Sequence, residues 1–368
     1  MMWDAAIIGG GPAGAAAACL LAGAGRSTVL FEREAGPRHK VCGEFISVEA
    51  ATYLPALGLD PVRLGALTIH HVRLIQGERT ATADLPFPAF SLARDVMDEA
   101  LLNAAAKQGA EIRRGIVVRG LTEDADGVTL HADEPVHARA AFLATGKHEL
   151  RGHRRPPGAI NDLIGFKRHL TLTPAQAGKL AGHVEVLLFP GGYAGLQPIP
   201  GDRANLCLVI AKAVHDRLDR DWDALVDYLA RSGSVFAERL AGATPCWAKP
   251  LSIYGIPYGF VHRADAPSPR IHRLGDQLAV IPSFCGDGIA IALHSAALAV
   301  NRHLAGEPPL DGAAFASQIR AATLLARAAR YPLLQAIATT ACRLSPALLR
   351  SMASATRIRG GSLQSQFD

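Results

Sequence analysis

The stretch Ala5-Ala6-Ile7-Ile8-Gly9-Gly10-Gly11-Pro12-Ala13-Gly14, with the alanine-rich run 15–21 behind it, decides the fold class. Four apolar residues in succession suit a parallel strand buried on both faces. The glycines that follow have the spacing G-x-G-x-x-G at Gly9, Gly11 and Gly14. Gly9 allows a tight turn, Gly11 lets a pyrophosphate approach the backbone, and Gly14 lets a helix pack on the strand. The helix then turns its free N–H groups toward the phosphates. Thr28-Val29-Leu30-Phe31 predicts the next strand, ending at Glu32, 18 residues past Gly14. A carboxylate there holds adenosine ribose hydroxyls and repels a 2′-phosphate, which favours FAD or NAD over NADP. The same apolar run could be taken for a signal peptide or a membrane span. Asp4 stands where a basic segment belongs, and four glycines interrupt residues 5–14, so strand, turn and helix are expected instead.

At about 150 residues per domain, 368 residues point to two domains. Apolar residues at 49% and charged residues at 19% allow a sizeable core and exclude wholesale disorder. Aromatics at 6% are too few for a base-stacking platform, so no nucleic-acid partner is expected. The six cysteines show no CxxC pattern, and the 14 histidines show no ligand spacing. Neither a disulfide framework nor a metal site is expected, and reduced thiols in a cytoplasmic protein are the simplest reading.

Further segments separate FAD from NAD. Leu274-Gly275-Asp276 precedes Val280-Ile281-Pro282-Ser283-Phe284-Cys285-Gly286-Asp287-Gly288. A helix is expected next, with Ile289, Leu293, Ala296, Ala297 and Val300 at helical spacing. Upstream, residues 141–144 form an apolar run into Thr145-Gly146. Lys40-Val41-Cys42-Gly43-Glu44 lies between the glycine fingerprint and Arg94, which opens a predicted helix ending near Gly109. With these motifs in this order, the chain resembles the FAD-dependent oxidoreductases of the p-hydroxybenzoate hydroxylase fold, and is most similar to their geranylgeranyl reductase-like branch. The resemblance covers roughly residues 4–305 and includes Tyr193, Pro198 and Asn205 in the pattern of two substrate-domain strands.

The resemblance implies that Gly9, Gly11, Gly14 and Glu32 hold the dinucleotide and that Arg94 touches it. It implies that Gly275 and Asp276 bind the ribityl or pyrophosphate region. Pro282 and the turn Gly286 to Gly288 would face the flavin pyrimidine edge, where a helix N-terminus stabilises negative charge. It places Cys42 and Glu44 beside the flavin. Three features depart from the family pattern. Gln277-Leu278 follows Gly275-Asp276 where two alanines are usual, Thr145 replaces an Asp associated with nicotinamide handling, and the W-x-W-x-I-P signature of halogenases is missing.

The expected fold class is α/β with an α+β second part: a Rossmann-like FAD-binding domain interrupted twice by an antiparallel substrate domain, with a helical C-terminus. The boundaries are 1–66, 91–155 and 255–310 for the first domain, 67–90 and 156–254 for the second, and 311–368 for the helical region. Strands are predicted at 71–75, 80–85, 184–189 and 205–210. The C-terminal helices should be broken at Pro332 and Pro346, and the last ten residues should be frayed.

The side-chain candidates for catalysis are Cys42, Glu44 and Tyr193. Cys42 is either a catalytic thiol or a small apolar residue. Glu44 is either a general acid/base, if desolvated, or a solvated loop acid. Tyr193 is either a pocket residue or a plain strand aromatic. The loop Arg38-His39-Lys40 either attracts NAD(P)H phosphates, NAD(P)H being the expected transient reductant, or is a solvated charge run. Three functions follow. First is a monooxygenase that hydroxylates or epoxidises an apolar aromatic or polyene substrate through a flavin hydroperoxide. Second is a reductase or dehydrogenase acting on carbon–carbon bonds of a lipid-like substrate. Third is a non-catalytic binding protein on the same fold.

The net charge of +5 has an address. Residues 311–368 hold Arg320, Arg327, Arg330, Arg343, Arg350, Arg357 and Arg359 against Asp311 and Asp368 alone, which is the whole surplus. Arg320 and Arg327 are seven apart, as are Arg343, Arg350 and Arg357, so each set is expected on one helix face. This is either a solvated surface or a docking face for an anionic membrane or for a carrier protein with a tethered substrate.

Overall fold

Both faces of the first strand are covered, which is why residues 5–8 can be apolar without interruption. A computed structural model describes residues 2–263, 268–355 and 357. The first stretch of chain forms β1 (Met2–Ile8), α1 (Pro12–Gly23), β2 (Thr28–Glu32), the short β3 (Phe45–Ile46) and the one-turn α2 (Val48–Ala51). A long hairpin follows, β4 (Leu67–Gln76) and β5 (Arg79–Ser91). The chain returns through α3 (Arg94–Lys107), β6 (Glu111–Arg114), β7 (Gly120–Glu123), β8 (Val128–His131) and β9 (Val136–Leu143). It leaves again through β10 (Leu163–Thr171), α4 (Pro174–Leu180), β11 (His183–Phe189), β12 (Gly192–Ile199) and β13 (Arg203–Ala211). Helices α5 (Lys212–Arg217), α6 (Trp222–Ser232) and α7 (Ser234–Leu240) precede β14 (Thr244–Pro245) and β15 (Leu251–Tyr254). Strand β16 (Ile271–Arg273) and α8 (Gly288–Leu304) bring it back. Helices α9 (Ala316–Ala328), α10 (Pro332–Leu344) and α11 (Pro346–Ala355) complete the described chain.

Two sheets result. The first has the order β6-β2-β1-β9-β8-β7, with β16 also on β9. Its strands β6, β2, β1, β9 and β16 run parallel, while β7 and β8 add an antiparallel edge. Helix α1 packs against α3 and α8 over this sheet. Its alanines at 13 and 15–18 are buried, and their small side chains permit the close approach.

The second sheet has the order β14-β10-β13-β12-β11-β4-β5-β3, with β15 on β10. It is antiparallel except where β11 meets β4. Register aligns Leu74, Val186, Gly195, Cys207 and Lys167 in one row across one face. A neighbouring row carries Leu188, Tyr193, Val209 and Gly165. Residues on strands alternate faces, so the opposite face holds Leu187, Phe189, Leu196, Leu206 and Leu208, packed with Leu225, Leu229 and Phe236 of α6 and α7.

The two prolines act where expected. Pro332 and Pro346 stand first in α10 and α11, where the missing N–H costs nothing. Helices α10 and α11 lie against β4 and β5, beside the face that carries Leu74. Arg359 and the last ten residues lie outside the described residues, as do Met1 and residues 264–267.

Candidate active site

The glycine turn after β1 is built as the spacing requires. Gly9 sits at φ 109°, and a Cβ there would meet the Ala144 carbonyl; a Cβ on Gly14 would collide with the Gly9 carbonyl oxygen. Gly11 differs: its nearest neighbour in that direction is Arg94 Nη2 at 3.7 Å. The space in front of it is open, as it is at Gly288, where nothing lies within 4 Å. Glu32 ends β2 with its carboxylate organised by backbone donors. Its Oε2 accepts from Gly10 N–H at 2.8 Å and its Oε1 from Glu34 N–H at 2.9 Å. Gly275 N–H donates to Ser295 Oγ at 2.8 Å, and Arg155 donates to the Asp276 carbonyl at 2.7 Å. Gly9, Gly11, Glu32, Arg94, Gly275, Asp276, Gly286 and Gly288 line one cavity. An elongated cradle, open at Gly11 and Gly288 and edged by an acid, fits a bound FAD. Gly14 and Pro282 stand behind this lining: Gly14 sets the packing of α1, and Pro282 leads the turn before α8.

Arg94 is fixed below Gly11. Its Nε and Nη2 donate to Asp98 at 2.7 and 2.9 Å, one helical turn on, and its guanidinium also faces the Cys42 thiol. Cys42 lines the cavity. Its Sγ accepts from Glu44 N–H at 3.3 Å.

Glu44 corrects one half of the sequence reading: it is not a solvated loop acid. Its side chain is 0% exposed, and so is that of Lys167, with which it pairs. His169 Nε2 meets its other oxygen at 2.8 Å, and Arg94 N–H donates to Oε1 at 2.8 Å. Burial pushes this carboxyl up, but His169 and Lys167 together hold it below the ordinary carboxylate value. Glu44 also has φ 61°, a backbone conformation unusual for a non-glycine residue. Asn205 adds two bonds from β13, donating to the Cys42 and Gly43 carbonyls at 3.1 and 2.8 Å. The second sheet thus clamps the loop that carries Cys42.

His39, Glu44 and His169 place ligand atoms within 4.8 Å of one another. The ammonium of Lys167 already neutralises that carboxylate, which removes the charge a cation needs. The basic loop is not a free charge run either. Arg38 pairs with Glu34, His39 stacks on Trp247 with centroids 4.6 Å apart, and Lys40 lines the cavity beside Glu32.

Tyr193 lies on the cavity wall, hydrogen-bonded to Ser283 Oγ. Tyr258 reaches the same oxygen at 2.6 Å from the other side. Burial pushes both phenols well above their ordinary value, so both keep their protons.

The cavity measures about 690 Å³ and does not end at the cradle. It continues along Val72, Leu74, Val184, Val186 and Leu188 of the second sheet. Leu325, Leu334, Ala338, Leu349 and Met352 from α9–α11 close its far side. Arg357 corrects the expected stripe. It turns inward, donates to Asp287 Oδ1 at 2.6 Å and lies 4.5 Å from the Phe87 ring centre. Burial raises Asp287 to about 6 despite this partner. Arg327 and Arg330 bond to Ala159 and Asp162. Arg320, Arg343 and Arg350 are exposed and form no ion pair among the described residues.

Lys167, His169, Tyr258 and Ser283 were not singled out from sequence. A signal existed for the first two. Lys167 and His169 are two apart in a strand that opens on the apolar run 163–166, so they share a face. Tyr258 and Ser283 come from separate loops and only folding unites them.

Comparison with known proteins agrees with this geometry. Residues 2–141 match the family model described as FAD binding domain. The chain is 24% identical over 329 residues to the menaquinone reductase of Mycolicibacterium smegmatis, covering 82% of this chain and 76% of that one. It is 27% identical over 312 residues to digeranylgeranylglycerophospholipid reductase 2 of Methanopyrus kandleri, covering 80% and 74%. Among solved structures, a flavoprotein/dehydrogenase from Cytophaga hutchinsonii superposes with TM-score 0.78 at 18% identity, covering 96% of this chain and 92% of that one. That likeness speaks for the fold. The chain is an FAD-binding oxidoreductase that carries an FAD binding domain at residues 2–141 and is similar to reductases named for menaquinone and for digeranylgeranylglycerophospholipid.

Proposed function

We propose that this oxidoreductase is a reductase acting on a carbon–carbon double bond of an apolar, lipid-like substrate. One observation carries the reading: the cavity that begins at the dinucleotide cradle continues as a long aliphatic channel between the second sheet and α9–α11. Such a channel suits an extended hydrocarbon, which gains from burial along its length. The similarity to two reductases named for a quinone and a phospholipid supports it. So does Thr145, which stands where hydroxylases of this fold carry an Asp.

Bound FAD would supply the two-electron chemistry, with NAD(P)H as the source of electrons. The chain's own residues do the rest. Gly11 and Gly288 leave the backbone free to hold the dinucleotide, Gly9 makes the turn after β1, and Glu32 fits the ribose. The cavity wall excludes water from the reacting carbons. Tyr193 holds a proton at its hydroxyl, ready for the carbon that does not receive the hydride equivalent. Ser283 and Tyr258 hold that hydroxyl in place through the shared Ser283 oxygen.

A monooxygenase is the second reading, because the same dry channel would also protect an oxygenating centre from water. Oxygen separates the two. The FAD-loaded protein, reduced without oxygen, is mixed with a polyprenyl quinone or a geranylgeranyl lipid. A reductase reoxidises its flavin and yields a product with two hydrogens added across a carbon–carbon double bond of the polyprenyl chain, beyond any reduction of the quinone ring itself. A product that forms only in air and carries one added oxygen atom would overturn the reductase reading. Tyr193→Phe should slow product formation by about a hundredfold with flavin content unchanged.

A further inference from the structure

Helix α10 is mounted with its polarity reversed. Its buried positions are Gln335, Thr339 and Cys342. Its exposed positions include Leu333, Ile337 and Leu344, at 72%, 55% and 81% accessibility. These three fall at steps of four and seven residues, so they form one stripe along the helix. Leu324 on α9 and Leu348 on α11 extend the apolar area. Exposed arginines flank it: Arg320 is one turn from Leu324, Arg343 adjoins Leu344, and Arg350 follows Leu348 by two residues. No Asp or Glu occurs between positions 312 and 357. An exposed apolar helix stripe flanked by one sign of charge marks a docking site rather than an ordinary solvent face.

We propose that α9–α11 form the face by which the protein rests on an anionic bilayer surface, with the leucine stripe in the acyl boundary and Arg320, Arg343 and Arg350 at the phosphates. Three observations favour lipid as the occupant. The charge is purely positive, which complements anionic headgroups. Arginine forks suit phosphate oxygens. The same helices also wall the channel: Leu334 lines the cavity and keeps 43% of its surface accessible, so a lipid-bound face sets the channel beside the membrane. Among the described residues no helix is long and apolar enough to cross a membrane, so the association is interfacial. This inference stands on the surface itself and holds whichever reaction the flavin site performs.

The test uses the FAD-loaded protein and two kinds of vesicle, phosphatidylcholine alone and phosphatidylcholine with phosphatidylglycerol. Sedimentation should carry the parent down with the anionic vesicles at low salt and progressively less as salt rises. The triple variant Leu333→Ser, Ile337→Ser, Leu344→Ser should bind at least about tenfold more weakly, because it loses the apolar insertion. Arg343→Gln with Arg350→Gln should erase the preference for anionic over neutral vesicles. None of these five side chains lines the cavity, so flavin content and melting temperature should match the parent. A parent that stays in the supernatant with anionic vesicles overturns the proposal. So does a triple variant that sediments as well as the parent. A dimer that the triple variant converts to monomer, with no vesicle binding by either, would assign the face to a second copy. Binding to an acyl carrier protein but not to vesicles would likewise overturn it.

Discussion

The two ends of the cavity are made of different material. At the cradle, backbone does the holding. Gly9, Gly11 and Gly288 matter because they lack a side chain, and Glu32 is positioned by two main-chain donors. At the far end, side chains do the work. Leu325, Leu334, Leu349 and Met352 form a wall whose shape depends on how three helices are rotated, and Arg357 locks that rotation through Asp287. The first kind of site tolerates little change, because no substitution restores space that a Cβ removes. The second tolerates much, because aliphatic side chains exchange for one another at modest cost. Enzymes of one fold can then keep the cradle and vary the wall, which is how one flavin site serves many substrates.

The loop between the ends should show the largest effect. Glu44→Gln leaves the buried ammonium of Lys167 without its carboxylate and should cost about 3–5 kcal/mol of stability, measured by denaturant titration. The double variant Glu44→Gln, Lys167→Met should lose less than Glu44→Gln alone. Glu44 is held below its ordinary value in the folded state, so its contribution is present above that ordinary value and disappears as pH falls through the folded one. The penalty of Glu44→Gln should therefore shrink in acid. Equal loss at all pH values would show that the clamp is steric.

Breaking the latch on the wall comes next. Arg357→Gln removes a charged hydrogen bond to Asp287, worth about 1.5–3 kcal/mol where the carboxylate is ionised. Asp287 is raised to about 6 in the folded state, above its ordinary 3.8. Between those values the folded protein holds a proton that the unfolded chain has released, so stability falls as pH rises through this window. Without Arg357 the folded value rises further, and the fall continues above pH 6. The variant should match the parent near pH 5 and separate from it toward pH 8 in thermal melts. Flavin content is a second readout, because Asp287 lies between Gly286 and Gly288 of the cradle.

At the cradle, Glu32→Ala should weaken FAD binding by about 1–3 kcal/mol, a rise in Kd of about 5- to 150-fold. Titration of the apoprotein with FAD reads this directly. The melting temperature of the apoprotein should move far less than in Glu44→Gln. An apoprotein that ignores FAD and binds NAD would break the assignment of this end of the molecule.

Much of the fold was legible because it follows from local pattern. The run at residues 5–8, the glycine spacing, the acid at Glu32 and the helix opened by Arg94 are each read over a few residues, and each stands where it was expected. Pro332 and Pro346 marked helix starts for the same reason: a ring that removes an N–H acts on its own turn. The burial of Glu44 was not legible because its partners are 123 and 125 residues away, on a strand of the other sheet. Arg357 was misread because a seven-residue spacing says nothing of Asp287, its partner 70 residues away.

By itself, then, the amino-acid order determined where the backbone must turn, which strand is buried and where a dinucleotide is received, since glycine, proline and a run of apolar residues act through their own torsions and their own burial. Tertiary structure decided which charges are hidden and which leucines are left in the open. Lys167 is buried only because Glu44 arrives from another domain segment to neutralise it. Helix α10 exposes its leucines because the sheet and α11 already supply the apolar contacts around Cys342. Those outcomes are set by competition among distant surfaces for the same contacts, and no window of sequence contains both competitors.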